Sequence, residues 1–133
     1  MSGIGWRMVV QVLASQHKRI AIVGGPRTGK TTLARAIRGR PIISTDDYMD
    51  LAWEDVPDKV IQVAGAAGGS FVVEGVQAAR ALRKGLEVDA VVVMVHPKVE
   101  LTPGQLSMAK GVMTVLEDWQ SSRPTAVIAV EPR

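Results

Sequence analysis

An eight-residue segment at residues 24–31 constrains the fold of this chain more than any other part of its sequence. It reads Gly-Gly-Pro-Arg-Thr-Gly-Lys-Thr and fits the pattern G-x-x-x-x-G-K-[ST] without a mismatch. The apolar run at residues 19–23 predicts a buried parallel strand, and residues 32–38 predict a helix that Gly39 and Pro41 end. Glycines in such a segment let successive backbone N–H groups curve around a phosphate. We therefore call residues 24–31 the phosphate loop.

The phosphate loop predicts that the chain binds a nucleoside triphosphate, which we expect to be ATP with Mg²⁺. The ammonium group of Lys30 would reach the β- and γ-phosphates, and the hydroxyl of Thr31 would complete the coordination of Mg²⁺. The predicted nucleotide-binding residues are Gly25, Pro26, Arg27, Thr28, Gly29, Lys30, Thr31 and Thr32. A glycine-rich turn without a ligand is the alternative, and the flanking strand and helix disfavour it.

The amino-acid composition limits the kinds of core, catalytic site and ligand that the chain can have. The 133 residues suffice for one domain, and because aromatic residues make up only 4% of them, we expect an aliphatic core. The chain has no cysteine, which excludes disulfides, thiolate metal sites and cysteine nucleophiles. A net charge of +3 suits phosphate-rich ligands, but the basic residues are spread along the chain, so a nucleic-acid partner stays open.

Short Val/Ile/Ala runs alternate with helical stretches, which is typical of an α/β fold. Predicted strands cover residues 19–23, 41–45, 70–75, 90–95 and 125–130. Their order predicts a doubly wound five-stranded parallel sheet with helices on both faces and a ligand site at the carboxyl ends of the strands. We treat residues 1–133 as a single domain, with an N-terminal helix in residues 1–18 and a lid-like helical region in residues 96–122.

The lid-like region contains one well-marked helix start. Thr102 precedes Pro103, and Gln105 can close a capping box with Thr102. An apolar stripe at helical spacing runs from Ala109 to Trp119. It predicts core packing or a contact within a homo-oligomer. Because the apolar stretch near the N-terminus is too short to span a bilayer, we expect no membrane association and a cytoplasmic protein.

Acidic residues follow two of the predicted strands. Asp46 and Asp47 come after the second strand, and Glu74 ends the third. Phosphoryl transfer needs a carboxylate to orient or deprotonate the attacking hydroxyl, and carboxylates also hold a metal. We therefore predict Lys30, Asp46 and Glu74 as catalytic residues, and Thr31, Asp46 and Glu74 as the metal-binding residues. The alternative is that both aspartates only cap the loop that follows them.

The chain resembles the small P-loop kinases, which include uridine, gluconate, shikimate and adenylate kinases and the 5′-hydroxyl polynucleotide kinases. The resemblance rests on residues 24–32, on Ser-Thr-Asp-Asp-Tyr at residues 44–48 and on Phe-Val-Val-Glu-Gly at residues 71–75. It implies that Asp46 contacts the acceptor hydroxyl as a base and that Glu74 occupies the Walker B position. The implied activity is γ-phosphoryl transfer to a nucleoside, a nucleotide, another small molecule or a nucleic-acid 5′ end.

Two departures from this family leave other functions open. Between His96 and Gln120 the chain has only Lys98 and Lys110 where kinases of this kind use lid arginines. Either Lys98, Arg80, Arg83 or Arg123 substitutes for them, or catalysis is weak, or activity needs a partner. A nucleotide-binding P-loop ATPase or module without kinase activity is therefore the alternative. A GTPase is disfavoured because no Asn-Lys-x-Asp or Asp-x-x-Gly stretch is present. Trp53 could either stack on a nucleoside or anchor the next helix.

Overall fold

The computed structural model describes residues 6–37, 39–94, 97, 99–121 and 126–130, with the backbone alone for Trp6, Arg7, Val9 and residues 126–130. The strands are β1 (Arg19–Gly24), β2 (Ile42–Ser44), β3 (Phe71–Gly75), β4 (Ala90–Met94) and β5 (Ala126–Val130). The helices are α1 (Trp6–Gln16), α2 (Lys30–Ala36), α3 (Val56–Ala66), α4 (Ala78–Arg83) and α5 (Pro103–Gln120). Two 3-10 helices that the sequence did not predict, Thr45–Tyr48 and Trp53–Asp55, lie between β2 and α3. The predicted α/β class is confirmed.

The described strands form one parallel sheet in the order β2-β3-β1-β4-β5. In the register of the sheet, Ile22 of β1 lies beside Glu74 of β3, and Glu74 lies beside Ser44 of β2. The carboxyl ends of these three strands therefore meet at one edge. That edge holds the phosphate loop after β1, Glu74 in β3 and Asp46 after β2.

Both faces of the sheet are covered by helices. Successive residues of a strand point to opposite faces, and in β1 Ile20 and Ile22 pack in a core cluster that includes Leu13 of α1 and Leu33 of α2. The alternate residues of β1 pack in a second cluster with buried side chains of α3, α4 and α5. Parallel strands buried on both faces have near-continuous apolar sequences, which explains why the strands were easy to predict.

Hydrogen bonds stabilise the helix ends, some from residues nearby in sequence and some from residues far along the chain. At the start of α5 the predicted capping box is present: Thr102 Oγ1 accepts a hydrogen bond from the Gln105 N–H at 3.2 Å, and the Thr102 N–H donates to Gln105 Oε1 at 3.0 Å. A residue far along the chain binds the end of α1: Arg40 donates to Ala14 O in the helix at 2.9 Å and to His17 O just after it. This contact holds α1 to the segment before β2.

The two named regions of the chain each contain a helix. Within residues 1–18 lies α1, and within residues 96–122 lies α5, which packs against α4 and β1 and buries Val112, Leu116 and Trp119. The lid-like role of this region stays a prediction. Among the described residues, no helix combines the length and the apolar character that a bilayer crossing requires.

Candidate nucleotide site

The phosphate loop connects β1 to α2 through two left-handed residues. Arg27 has a φ of 64°, which is uncommon for a residue with a side chain, and Gly29 has a φ of 92°. Turns that contain left-handed residues bring backbone N–H groups together into anion-binding concavities. The glycine at position 29 adopts this conformation without steric cost. The loop therefore has the backbone conformation that its sequence predicts for holding a phosphate.

Lys30 is a buried cation at the base of the loop. Its side chain is only 8% exposed, and Nζ donates a hydrogen bond to Gly25 O at 2.6 Å and a longer one to Thr28 Oγ1 at 3.4 Å. Burial lowers the pKa of Lys30, and the carboxylates of Glu74 and Asp46 oppose this shift. An ammonium group has three N–H donors. Two of them hold the loop together, so a third can bind an incoming anion.

Glu74 and Thr31 are joined across the site. Glu74 lies near the carboxyl end of β3 and is 1% exposed, and its Oε1 accepts a hydrogen bond from Thr31 Oγ1 at 3.1 Å. A carboxylate buried in a sheet is costly unless it is hydrogen-bonded. Carboxylate and hydroxyl oxygens are also the ligands that Mg²⁺ prefers. The pair therefore meets the chemical requirement of the metal that the phosphate loop implies.

The described residues contain no cluster of three or more His, Cys, Asp or Glu side chains that could hold a metal by itself. Mg²⁺ is usually bound through one or two carboxylates together with substrate phosphates, so it does not need such a cluster. Thr31, Glu74 and Asp46 thus fit a metal that enters with a nucleotide.

Asp46 reaches the same site from the 3-10 helix that follows β2. The residue before it, Thr45, is buried against the end of β3, where Gly75 has a φ of 136° and no side chain. A Cβ at Gly75 would lie 2.8 Å from Thr45 Cβ and would overlap the Thr45 hydroxyl. The Thr45 side chain thus packs on Gly75, and the next residue, Asp46, lines the same cavity as Glu74. Asp47 is exposed, and it does not line the cavity that contains Asp46.

A cavity of about 370 Å³ lies between these groups. The predicted residues that line it are Pro26, Arg27, Gly29, Lys30, Thr31, Thr32, Asp46 and Glu74. Four other residues complete its wall: Trp53, for which stacking on a nucleoside was one of two interpretations, and Met49, Val76 and Met108, which were not predicted as binding residues. Trp53 is 38% exposed, so of the two interpretations of this residue the buried anchor does not hold.

The other predicted residues lie behind the cavity. Thr28 is buried and its hydroxyl donates to Gly25 O at 3.0 Å, which makes it part of the internal structure of the loop. Gly25 faces α5, because a Cβ at this position would lie 2.7 Å from Ala109 Cβ. No sequence signal linked α5 to the loop, since this contact is made only by the packing of the helix on the sheet.

The residues expected to replace lid arginines have different surroundings. Arg83 pairs with Asp118 at 3.8 Å and lines neither the 370 Å³ cavity nor its neighbour. Arg80 lies next to the site, over the ring of Trp53. His96, Lys98 and Arg123 lie outside the described residues.

Comparison with known proteins agrees with this geometry. The chain is 31% identical over 124 residues to the GTPase Der of Thermomicrobium roseum (strain ATCC 27502 / DSM 5159 / P-2), and the match covers 79% of the chain. The chain is similar to a P-loop NTPase. It spans about 27% of the length of that relative. No protein-family model matches the chain, so the finer resemblance to the small P-loop kinases stays a prediction.

Proposed function

We propose that the chain binds a nucleoside triphosphate with Mg²⁺ in the 370 Å³ cavity and transfers its γ-phosphoryl group to a separate acceptor. The observation that carries this proposal is that Lys30, Thr31, Asp46 and Glu74 line one cavity. The proposal includes the finer fold assignment, a minimal kinase-like version of the doubly wound five-stranded sheet. A cytoplasmic location and a homo-oligomer stay predictions.

In this proposal the residues that line the cavity bind either the phosphates or the metal, and Asp46 also accepts a proton. Lys30 neutralises the β- and γ-phosphates with its remaining N–H donor, and the backbone of the phosphate loop holds them in place. Mg²⁺ would be held by Thr31, Glu74 and Asp46, and it would reduce the negative charge against which an acceptor must approach.

The transfer step forms one bond at the γ-phosphorus, breaks another and moves one proton. The acceptor oxygen forms a bond to the γ-phosphorus, and the bond between that phosphorus and the β–γ bridging oxygen breaks. The nucleoside diphosphate leaves with the electron pair of that bond. The acceptor hydroxyl proton passes to Asp46, whose exposed carboxylate lines the cavity. An acceptor phosphate would need no such proton transfer.

The first experiment uses labelled ATP, Mg²⁺ and pooled nucleosides, nucleotides, sugars and 5′-hydroxyl oligonucleotides. We expect Asp46→Asn to lower transfer to a hydroxyl by about 100-fold or more while nucleotide binding persists, because a positioned base contributes at least that much. Lys30→Ala is expected to weaken nucleotide binding itself. Asp47→Asn is the matched control, because Asp47 is a neighbouring exposed carboxylate outside the cavity. Nucleotide binding without transfer to any acceptor would overturn the kinase proposal.

A second candidate is a protein that binds GTP or ATP and hydrolyses it without a separate acceptor. The similarity to GTPase Der favours this candidate. Against a guanine-specific site, the sequence contains no asparagine and hence no Asn-Lys-x-Asp stretch. Titrations with Mg·ATP and Mg·GTP, followed by measurement of phosphate release with no acceptor present, separate the two functions. Tighter binding of GTP together with steady phosphate release would favour the hydrolase.

A further inference from the structure

A second chamber of about 440 Å³ adjoins the proposed nucleotide cavity. Its walls come from α4, from α5 and from the 3-10 helix that contains Trp53. Trp53, Val76 and Met108 line both spaces, so the chamber and the cavity share a wall. A molecule in the chamber would therefore lie beside any phosphate held by the phosphate loop.

Arg80 gives the chamber a positive charge. Its guanidinium lies 5.7 Å from the centre of the Trp53 ring, a distance at which a cation is attracted to the face of an aromatic ring. Among the described residues, no acidic side chain lines the chamber and no carboxylate forms an ion pair with Arg80. Arg83 on the same helix, in contrast, pairs with Asp118. The charge of Arg80 is thus free to bind an anion.

The wall formed by α5 leaves room for a ligand. Gly104 and Gly111 line the chamber, and a Cβ at either position would meet no heavy atom within 4 Å. A glycine inside a helix costs about 1 kcal/mol relative to alanine. Since no neighbouring atom is close, packing does not require glycine at these two positions. A larger side chain at either position would instead take up space in the chamber. The volume also falls within the range of small-molecule sites, about 300–1,000 Å³.

We propose that this chamber binds the phosphoryl acceptor, and that the acceptor is a small anionic molecule with a flat or apolar body. Arg80 binds its phosphate or carboxylate, and the exposed indole of Trp53 lies against its body. Its reactive group then lies toward the nucleotide cavity, which Asp46 lines. This proposal rests on the proposed function, and it assigns to Arg80 the role of an acceptor-binding residue.

Calorimetric titration tests the proposal without relying on turnover. The protein is first saturated with a non-hydrolysable Mg·ATP analogue and then titrated with AMP and UMP and with their uncharged counterparts adenosine and uridine. We expect at least one anionic compound to bind about ten-fold more tightly than its counterpart. Arg80→Gln is expected to remove this preference, and Arg83→Gln to keep it, because both variants lose one charge from α4 but only Arg80 lines the chamber.

A second variant tests whether the open volume of the chamber is needed, independently of the charge of Arg80. Gly111→Leu is expected to weaken binding of the same anionic compound by about ten-fold or more while the analogue still binds, with circular dichroism confirming that the variant is folded. If every anionic compound fails to bind, or if the preference survives in Arg80→Gln, the acceptor proposal is wrong. Failure of the analogue itself to bind the wild type would instead reject the proposed function, so the two failures are distinguishable.

Discussion

Thr31 Oγ1 donates a hydrogen bond to Glu74 Oε1 at 3.1 Å and so connects the end of the phosphate loop to the carboxyl end of β3. Thr31→Val removes this donor and, in our proposal, one ligand of Mg²⁺. We expect nucleotide affinity in the variant to depend less on Mg²⁺ than it does in the wild type, because the ion loses one of its three proposed protein ligands. Titration of a fluorescent nucleotide with and without Mg²⁺ measures this. Thr31→Ser keeps the hydroxyl and serves as the control. An unchanged Mg²⁺ effect in Thr31→Val would contradict the assignment.

Gly75 is expected to tolerate no side chain. Gly75→Ala places a Cβ on the Thr45 hydroxyl and forces a residue with a side chain to a φ of 136°. We expect the free energy of unfolding to fall by about 3 kcal/mol, because the backbone strain alone costs about 1–3 kcal/mol and the overlap adds to it.

Urea denaturation measures this change, and Gly65→Ala is the control. Gly65 lies inside α3, and a Cβ there would meet no heavy atom within 4 Å. Alanine at that position is expected to stabilise the protein by up to about 1 kcal/mol. Equal effects of the two substitutions would show that the contact with Thr45 is not tight in solution.

The contact between Gly25 and Ala109 predicts a coupling between the phosphate loop and α5. A Cβ at Gly25 would lie 2.7 Å from Ala109 Cβ and 2.9 Å from Ala109 Cα. Gly25→Ala is therefore expected to cost about 1–3 kcal/mol of stability and to weaken nucleotide binding. Adding Ala109→Gly removes one of the two clashing groups.

A double-mutant cycle measures this coupling. We expect the double variant to be more stable than the sum of the two single effects by about 0.5–3 kcal/mol, as found for residues in direct contact. Strict additivity of the two substitutions would mean that α5 does not rest on the loop.

An ion pair at the opposite edge of the sheet predicts a pH dependence of stability. Asp89 Oδ1 accepts a hydrogen bond from Arg19 Nη2 at 2.8 Å, and Oδ2 accepts from the Arg19 N–H at 2.9 Å. Hydrogen bonding from the Arg19 side chain lowers the pKa of Asp89. A carboxyl group with a lowered pKa adds stability above its unfolded value, about 4, and loses it as the pH falls through its folded value.

Asp89→Asn should therefore destabilise the protein at pH 7 by about 1 kcal/mol or less, because solvent screens a pair that is about one third exposed. The difference between variant and wild type should shrink as the pH falls below about 4. Urea midpoints at pH 7 and pH 3 measure it. Glu87→Gln, which removes a more exposed carboxylate 3.8 Å from Arg19, is expected to change little at either pH. A difference that grows toward low pH would contradict the direction of the shift.

Local sequence was sufficient for the strands, the phosphate loop and the capping box of α5. The strands are apolar runs bounded by breakers, and the capping box needs only Thr102 and Gln105, which are three residues apart. The two 3-10 helices between β2 and α3 were missed, because short i→i+3 turns carry weak signals in sequence. Trp53 was recognised as a residue of interest, but its exposure depends on α4 and α5, which lie far from it along the chain.

The sequence by itself determined the α/β order of elements, the phosphate loop, and the carboxylates of Asp46 after β2 and Glu74 in β3. These features depend on residue type and short spacing. Only the tertiary structure decided that α5 rests on Gly25, that Arg40 binds the end of α1, and that Arg80 lies over Trp53 beside a second chamber. These contacts join residues that are at least 23 positions apart. Their geometry follows from how helices pack on the two faces of the sheet, and no local pattern of residues encodes it.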